Sequence, residues 1–190
     1  MGGRIWSEDA VLQQDFEQIA ASDLIDWEKL KGKTVLVTGA TGLIGSILVR
    51  GLVCANVSRE LNIRVLAVVR NRSKAEKLFA AFLDDGLELL VCDILASIEL
   101  EENVDYIVHG ASVTTSKDFV DHPVETILTA LKGTENLLEL AKDRQVSGMV
   151  YLSSMEAYGV VDDEHYNVSA RLSACRASLK VESGWAGRSA

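Results

Sequence analysis

The run Lys33-Thr-Val-Leu-Val-Thr-Gly-Ala-Thr-Gly-Leu-Ile-Gly45 constrains this chain more than any other stretch. Apolar alternation around Val35 and Val37 suits a buried strand, and Gly39, Gly42 and Gly45 follow where a turn and a helix start must approach one another closely. The run therefore reads as strand, glycine turn and helix, with the helix from Leu43 to about Cys54. Unpaired N–H groups at Thr41, Leu43 and Ile44, with the positive end of the helix dipole, suit a pyrophosphate. A glycine triple alone also serves ordinary turns. Its context is more specific, because a second apolar run, Val65-Leu-Ala-Val-Val69, arrives where a βαβ unit that binds a dinucleotide requires it.

The remaining chain alternates in the same way. Asn62–Val69 reads as the second strand, and Ser73–Phe82 as an amphipathic helix with Ser73 and Glu76 as a capping box. Leu87–Cys92 is a third strand, with Ile98 and Leu100 filling the crossover to a fourth, Val104–His109. Pro123 sits in the first turn of a long helix reaching about Lys142, and Val146–Ser153 is the fifth strand. This order predicts an α/β fold: a Rossmann-type, doubly wound parallel sheet with helices on both faces. An extra helix precedes it, from Ser7 as N-cap to about Ala21, with Val11, Leu12, Phe16 and Ile19 at helical spacing. It packs on the domain edge or on a partner chain, which leaves a homodimer open. Trp27 anchors the connector up to Gly32. The expected layout is residues 1–32 as added helix and connector, 33–168 as the dinucleotide-binding domain, and 169–190 as an atypical tail.

The chain has 190 residues, enough for one core, and a formal charge of −9. That charge argues against nucleic acid, which needs clustered Lys and Arg. Cys54, Cys92 and Cys175 are odd in number and widely spaced, so neither a zinc site nor a disulfide framework is indicated, and a reducing cytoplasm is expected. No apolar run approaches a bilayer's thickness, so no membrane span is expected.

The Gly-x-x-Gly-x-x-Gly spacing with Thr38 and Thr41 resembles the extended short-chain dehydrogenase/reductase family, which includes NAD(P)-dependent nucleotide-sugar epimerases and dehydratases. A second match is Tyr151-Leu-Ser-Ser-Met-Glu-Ala-Tyr-Gly159, and the resemblance runs from about Lys33 to Asn167. It implies a nucleotide sugar as substrate, and Ser154 as the catalytic serine that hydrogen-bonds the sugar oxygen being oxidised or reduced. A serine pair at a strand end is otherwise a common turn element. The resemblance also implies that Asp93 accepts from an adenine amino group while Ile94 packs on the ring, and that Ala111 and Ser112, after His109, line the passage toward the nicotinamide. Asp93 as an N-cap would look the same. His109 is read as structural, with no acid–base role.

Arg70-Asn71-Arg72 stands at the end of strand two, where a carboxylate selects NAD and a guanidinium accommodates the phosphate of NADP. Arg70 favours NADP over NAD, and two solvated loop arginines are the alternative.

The chain departs from the family in three places. Ala130 precedes Lys132-Gly-Thr134 where relatives usually carry asparagine. The family uses a tyrosine as proton acceptor with a lysine four residues later, which lowers the phenol's pKa and holds the nicotinamide ribose. Here Lys180 is in place but Arg176 stands where the tyrosine is due, and neither Tyr158 nor Tyr166 has a lysine four residues on. From about Ser169 the chain turns to small residues and arginine, the pattern expected of a truncated or frame-shifted relative without a substrate lobe. A binding-only, catalytically impaired module is therefore the alternative to an active epimerase or dehydratase.

Overall fold

A computed structural model describes residues 5–100, 102–113 and 115–153. The strands are β1 (Thr34–Thr38), β2 (Arg64–Val69), β3 (Leu87–Val91), β4 (Tyr106–His109) and β5 (Gly148–Tyr151). They form one parallel sheet in the order β3-β2-β1-β4-β5, with Val35 paired to Val65 on one side and Tyr106 on the other. The helices are α1 (Ala10–Ala21), α2 (Leu43–Arg59), α3 (Arg72–Leu78), α4 (Ser116–Asp121) and α5 (Pro123–Asp143).

Strand periodicity divides the apolar residues between two cores. Val35 and Val37 of β1 with Val65, Ala67 and Val69 of β2 join α2 and α3 on one face. Leu36, Leu66, Val68 and Ile107 join Leu137 and Leu140 of α5 on the other. No helix lies between β3 and β4 among the described residues, so Ile94, Ile98 and Val104 of that connection complete the second core. A strand buried on both faces cannot alternate apolar with polar residues, which is why β1 and β2 read as continuous apolar runs.

The expected fold holds, with shifted ends. α1 starts at Ala10 because Asp9, and not Ser7, is its N-cap: Asp9 Oδ1 accepts from the N–H groups of Val11 and Leu12 at 2.8 and 3.2 Å. A carboxylate is the stronger partner for the helix dipole, and Ser7 Oγ accepts instead from Asp9 N–H at 3.1 Å. α3 is capped by Asn71, which accepts from Lys74 N–H at 2.9 Å, in place of the Ser73–Glu76 box. α2 continues past Cys54 to Arg59, since nothing breaks it before Glu60 turns left-handed with φ 54°.

The segment before β1 is built into the first core. Phe16 is buried with its edge toward Phe82 at 5.9 Å, and Trp6 stacks on Phe82 at 5.2 Å. Trp27 is buried in the short 3-10 turn Trp27–Leu30 and donates its indole N–H to Ser22 O at 2.9 Å. Arg59, at the end of α2, donates Nε to Ala20 O at 2.5 Å, satisfying a carbonyl that the end of α1 leaves unpaired. No described helix is long and apolar enough to cross a membrane.

Candidate cofactor site

The chain runs outward from β1 to β3, then crosses to β4 on the other side of β1. The loops after β1 and β4 therefore diverge in topology while sharing one edge of the sheet, the place where ligands of such sheets sit. Here they also touch. Gly39 has φ +68°, and a Cβ there would stand 2.5 Å from Gly110 O, so both the turn and the contact demand glycine. At Gly45 a Cβ would stand 2.2 Å from Gly39 O, which explains how α2 closes onto its own turn.

Gly42 differs from these two. Its backbone is extended, with φ −78° and ψ 175°, and an added Cβ meets only Gly39 O at 3.2 Å. Gly42 N–H is taken by Gly39 O at 2.9 Å, and Ser46 N–H by Gly42 O at 2.9 Å. Between them the N–H groups of Leu43, Ile44 and Gly45 have no partner among the described residues, and α2 has no side-chain cap. Leu43 and Ile44 are exposed and Thr41 is half-buried. A helix start with unpaired donors and bare backbone in front of it suits a diphosphate in charge and in shape.

Behind the turn lies a buried polar relay. Thr38 Oγ1 is 2.7 Å from His109 Nδ1 and accepts from Ala111 N–H at 3.2 Å, while His109 Nε2 is 3.2 Å from Thr134 Oγ1. Thr134 spends its hydroxyl proton on Ala130 O at 2.6 Å, so it accepts from Nε2–H. Nδ1 is then the acceptor for the Thr38 hydroxyl, and the ring is the neutral Nε2–H tautomer. Burial pushes the His109 pKa down, in agreement. The relay ties β1, β4 and α5 together behind Gly110 and Ala111. Thr38 and Thr134 were not singled out for this role by the sequence.

After β2, Arg70 is exposed with no ion pair among the described residues, whereas Asn71 caps α3 and Arg72 lies 3.5 Å from Glu76. After β3, Asp93 is exposed and its Oδ1 accepts from Leu95 N–H at 3.0 Å. Ile94 does not face that opening: its side chain is 6% exposed and fills the notch at Gly133 of α5. The helix-free connection needs that apolar cover. Ala111 is half-buried, and Ser112 is exposed with its hydroxyl donating to Val113 O at 3.3 Å. Ser154 and Lys180, with Tyr158, Tyr166 and Arg176, lie outside the described residues.

Asn136 was missed by the sequence reading. It is buried on the apolar stripe of α5 with Gly133, Leu137 and Leu140, and a polar residue on such a stripe was the available signal.

The sequence profile of the NAD dependent epimerase/dehydratase family matches residues 35–176, which extends past Asn167, the end of the resemblance read from the motifs. A UDP-glucose 4-epimerase of Rickettsia massiliae is 27% identical over 129 residues, covering 66% of this chain and 37% of its own. An uncharacterized membrane protein of Methanocaldococcus jannaschii is 30% identical over 135 residues, covering 70% and 39%. Among solved structures, the dTDP-glucose 4,6-dehydratase DesIV of Streptomyces venezuelae, with NAD and TYD bound, matches with a TM-score of 0.58 and 29% identity, over 68% of this chain and 42% of its own. The chain thus spans well under half the length of each of these relatives. The chain belongs to the NAD dependent epimerase/dehydratase family.

Proposed function

We propose that the chain binds a nicotinamide dinucleotide along the carboxyl edge of β1, β2, β3 and β4, and that the reaction it serves is oxidation or reduction of a sugar carbon on a nucleotide sugar. The observation that carries this reading is the turn at Gly39, Gly42 and Gly45, with unpaired N–H groups at Leu43 and Ile44 and only Gly39 O, at 3.2 Å, near a Cβ position on Gly42. Those donors and Thr41 would hold the pyrophosphate. Asp93 would accept from the adenine amino group, and Ala111 and Ser112 would border the nicotinamide. The bound cofactor supplies hydride transfer with the sugar carbon. Ser154 would hydrogen-bond the sugar oxygen and stabilise charge there, and Lys180 would hold the ribose. NADP is favoured over NAD by the unpaired guanidinium of Arg70.

Titration calorimetry with NAD and NADP tests both points. Gly42→Val is expected to abolish binding of either cofactor with little effect on folding, because its backbone is ordinary and the clash is local. Gly39 and Gly45 make poorer probes, since a Cβ there would stand 2.5 and 2.2 Å from a backbone oxygen, against 3.2 Å at Gly42. A charge-assisted contact is worth roughly 1.5–3 kcal/mol, so Arg70→Asp is expected to lower the NADP-to-NAD affinity ratio by about tenfold or more. Equal affinities in wild type and Gly42→Val would sink the assignment.

A second reading, binding without turnover, is favoured by Arg176 where a tyrosine would serve as proton acceptor. Arginine stays protonated and cannot take that part.

A further inference from the structure

The turn Asp93–Ala96, at the start of the helix-free connection between β3 and β4, is held from two sides. Within the turn, Asp93 Oδ1 accepts from Leu95 N–H and Asp93 O from Ala96 N–H, both at 3.0 Å. From α5, the Asn136 amide, 9% exposed, donates through one nitrogen to Ile94 O at 2.7 Å and to Ala96 O at 3.2 Å. The Ile94 side chain is seated beside it, where a Cβ on Gly133 would stand 2.5 Å from Ile94 Cδ1.

A buried amide is costly unless its hydrogen bonds are made, and an apolar residue would suit the Leu137–Leu140 stripe better. What Asn136 secures is the geometry of the turn. With Oδ1 engaged, the other Asp93 oxygen, Oδ2, has no partner among the described residues, and the residue is exposed at the carboxyl edge of the sheet.

We propose that Asn136 is a positioning residue for purine recognition, holding the Asp93–Ala96 turn so that Asp93 Oδ2 meets an exocyclic amino group and turns away a ring carrying an oxo group there. This rests on the dinucleotide reading above. An amino group donates to the carboxylate, whereas an oxo group opposes one acceptor with another, so the preference depends on where Oδ2 is held. Loss of the Asn136 clamp lets the turn relax and the carboxylate swing. Gly133 belongs to the same device, because a methyl group there displaces Ile94 while leaving Asn136 intact.

The test is calorimetric titration of the full chain with NAD and with nicotinamide hypoxanthine dinucleotide, in wild type, Asn136→Ala and Gly133→Ala, with thermal unfolding alongside. Wild type is expected to favour the adenine cofactor by about tenfold or more, and both variants to reduce that ratio to about threefold or less through weaker NAD binding. A merely structural role would lower the melting temperature and weaken both ligands alike; an unchanged ratio in the variants overturns the proposal while leaving the cofactor reading intact. A wild type that binds both ligands equally overturns the role of Asp93 and the proposal with it, and one that binds neither overturns the cofactor reading itself. Should Asn136→Ala fail to fold, Gly133→Ala decides by the same ratio.

Discussion

His109 shows how much a single buried side chain depends on its partners. Its ring bridges Thr38 and Thr134, and the direction of each hydrogen bond follows from the Thr134 hydroxyl being committed to Ala130 O. Protonation would put a donor on Nδ1 and deprive the Thr38 hydroxyl of its acceptor. Burial already lowers the folded-state pKa below the ordinary value of about 6.5. Above that value neither state holds the proton, so the folded state bears no penalty. As pH falls through it, the unfolded chain takes up a proton that the folded chain does not, and stability declines toward the lower folded pKa. Thermal unfolding between pH 7.5 and 5.5 is expected to show this decline in wild type and a flatter profile in a less stable His109→Gln variant. The other histidines are common to both proteins and cancel. The Asp105 carboxyl, held below its ordinary range first by Thr34 N–H, affects stability only at more acid pH. Parallel profiles for the two proteins would show that His109 carries no such linkage.

Among the elements, α1 departs furthest from a free-standing appendage. Its apolar stripe reaches the first core through Phe16 and Ala20, and Ile19 crosses α2 at Gly51, where a Cβ would stand 3.1 Å from Ile19 Cγ2. Asp9 caps its start and Arg59 of α2 takes the Ala20 carbonyl near its end, so each end has a partner from outside the helix. Phe16→Ala removes a ring that is 1% exposed and leaves a cavity beside Trp6 and Phe82. The expected cost is about 3–5 kcal/mol in chemical denaturation. A loss well under 1 kcal/mol would mean that α1 is detached in solution. The element ends that differed from the sequence reading share one cause. Competing caps lie within two residues of one another, and which is used depends on where the chain arrives from: Asp9 over Ser7, Asn71 over Ser73.

Across the whole molecule, the parallel sheet puts the loops after β1, β2, β3 and β4 on one edge, while Lys33, Thr34 and Asp105 lock the opposite end through contacts of 2.9 Å. The edge proposed to hold the cofactor and this ion-paired end are thus separate, and replacing an exposed side chain on the first, such as Arg70, is expected to leave folding largely intact. The proposed reaction would also require a proton acceptor, and the sequence has Arg176 where the family resemblance calls for a tyrosine. General acid–base catalysis contributes about 10²–10⁴-fold, so conversion of UDP-, dTDP- and GDP-sugars is expected to fall short of an active relative by about that factor. Chromatography of the sugars after incubation with purified chain and cofactor checks this. Robust conversion that survives both Tyr158→Phe and Tyr166→Phe would show that another base acts.

The parallel α/β fold, the glycine turn and the family were legible in the residues, because strand and helix periods and glycine spacing are local properties of the chain. Long-range contacts were not legible. Nothing in the sequence pointed Ile94 to the notch it fills at Gly133, a residue far along the chain. That Arg70 stays unpaired among the described residues while Arg72 lies against Glu76 depends on α3 beginning at Arg72. Asn136, Thr134 and Thr38 carried no motif that assigned their contacts; their partners are brought to them by the sheet crossing between β3 and β4. A hydrogen bond between side chains on separate elements is decided by where those elements pack, and only the folded chain places them.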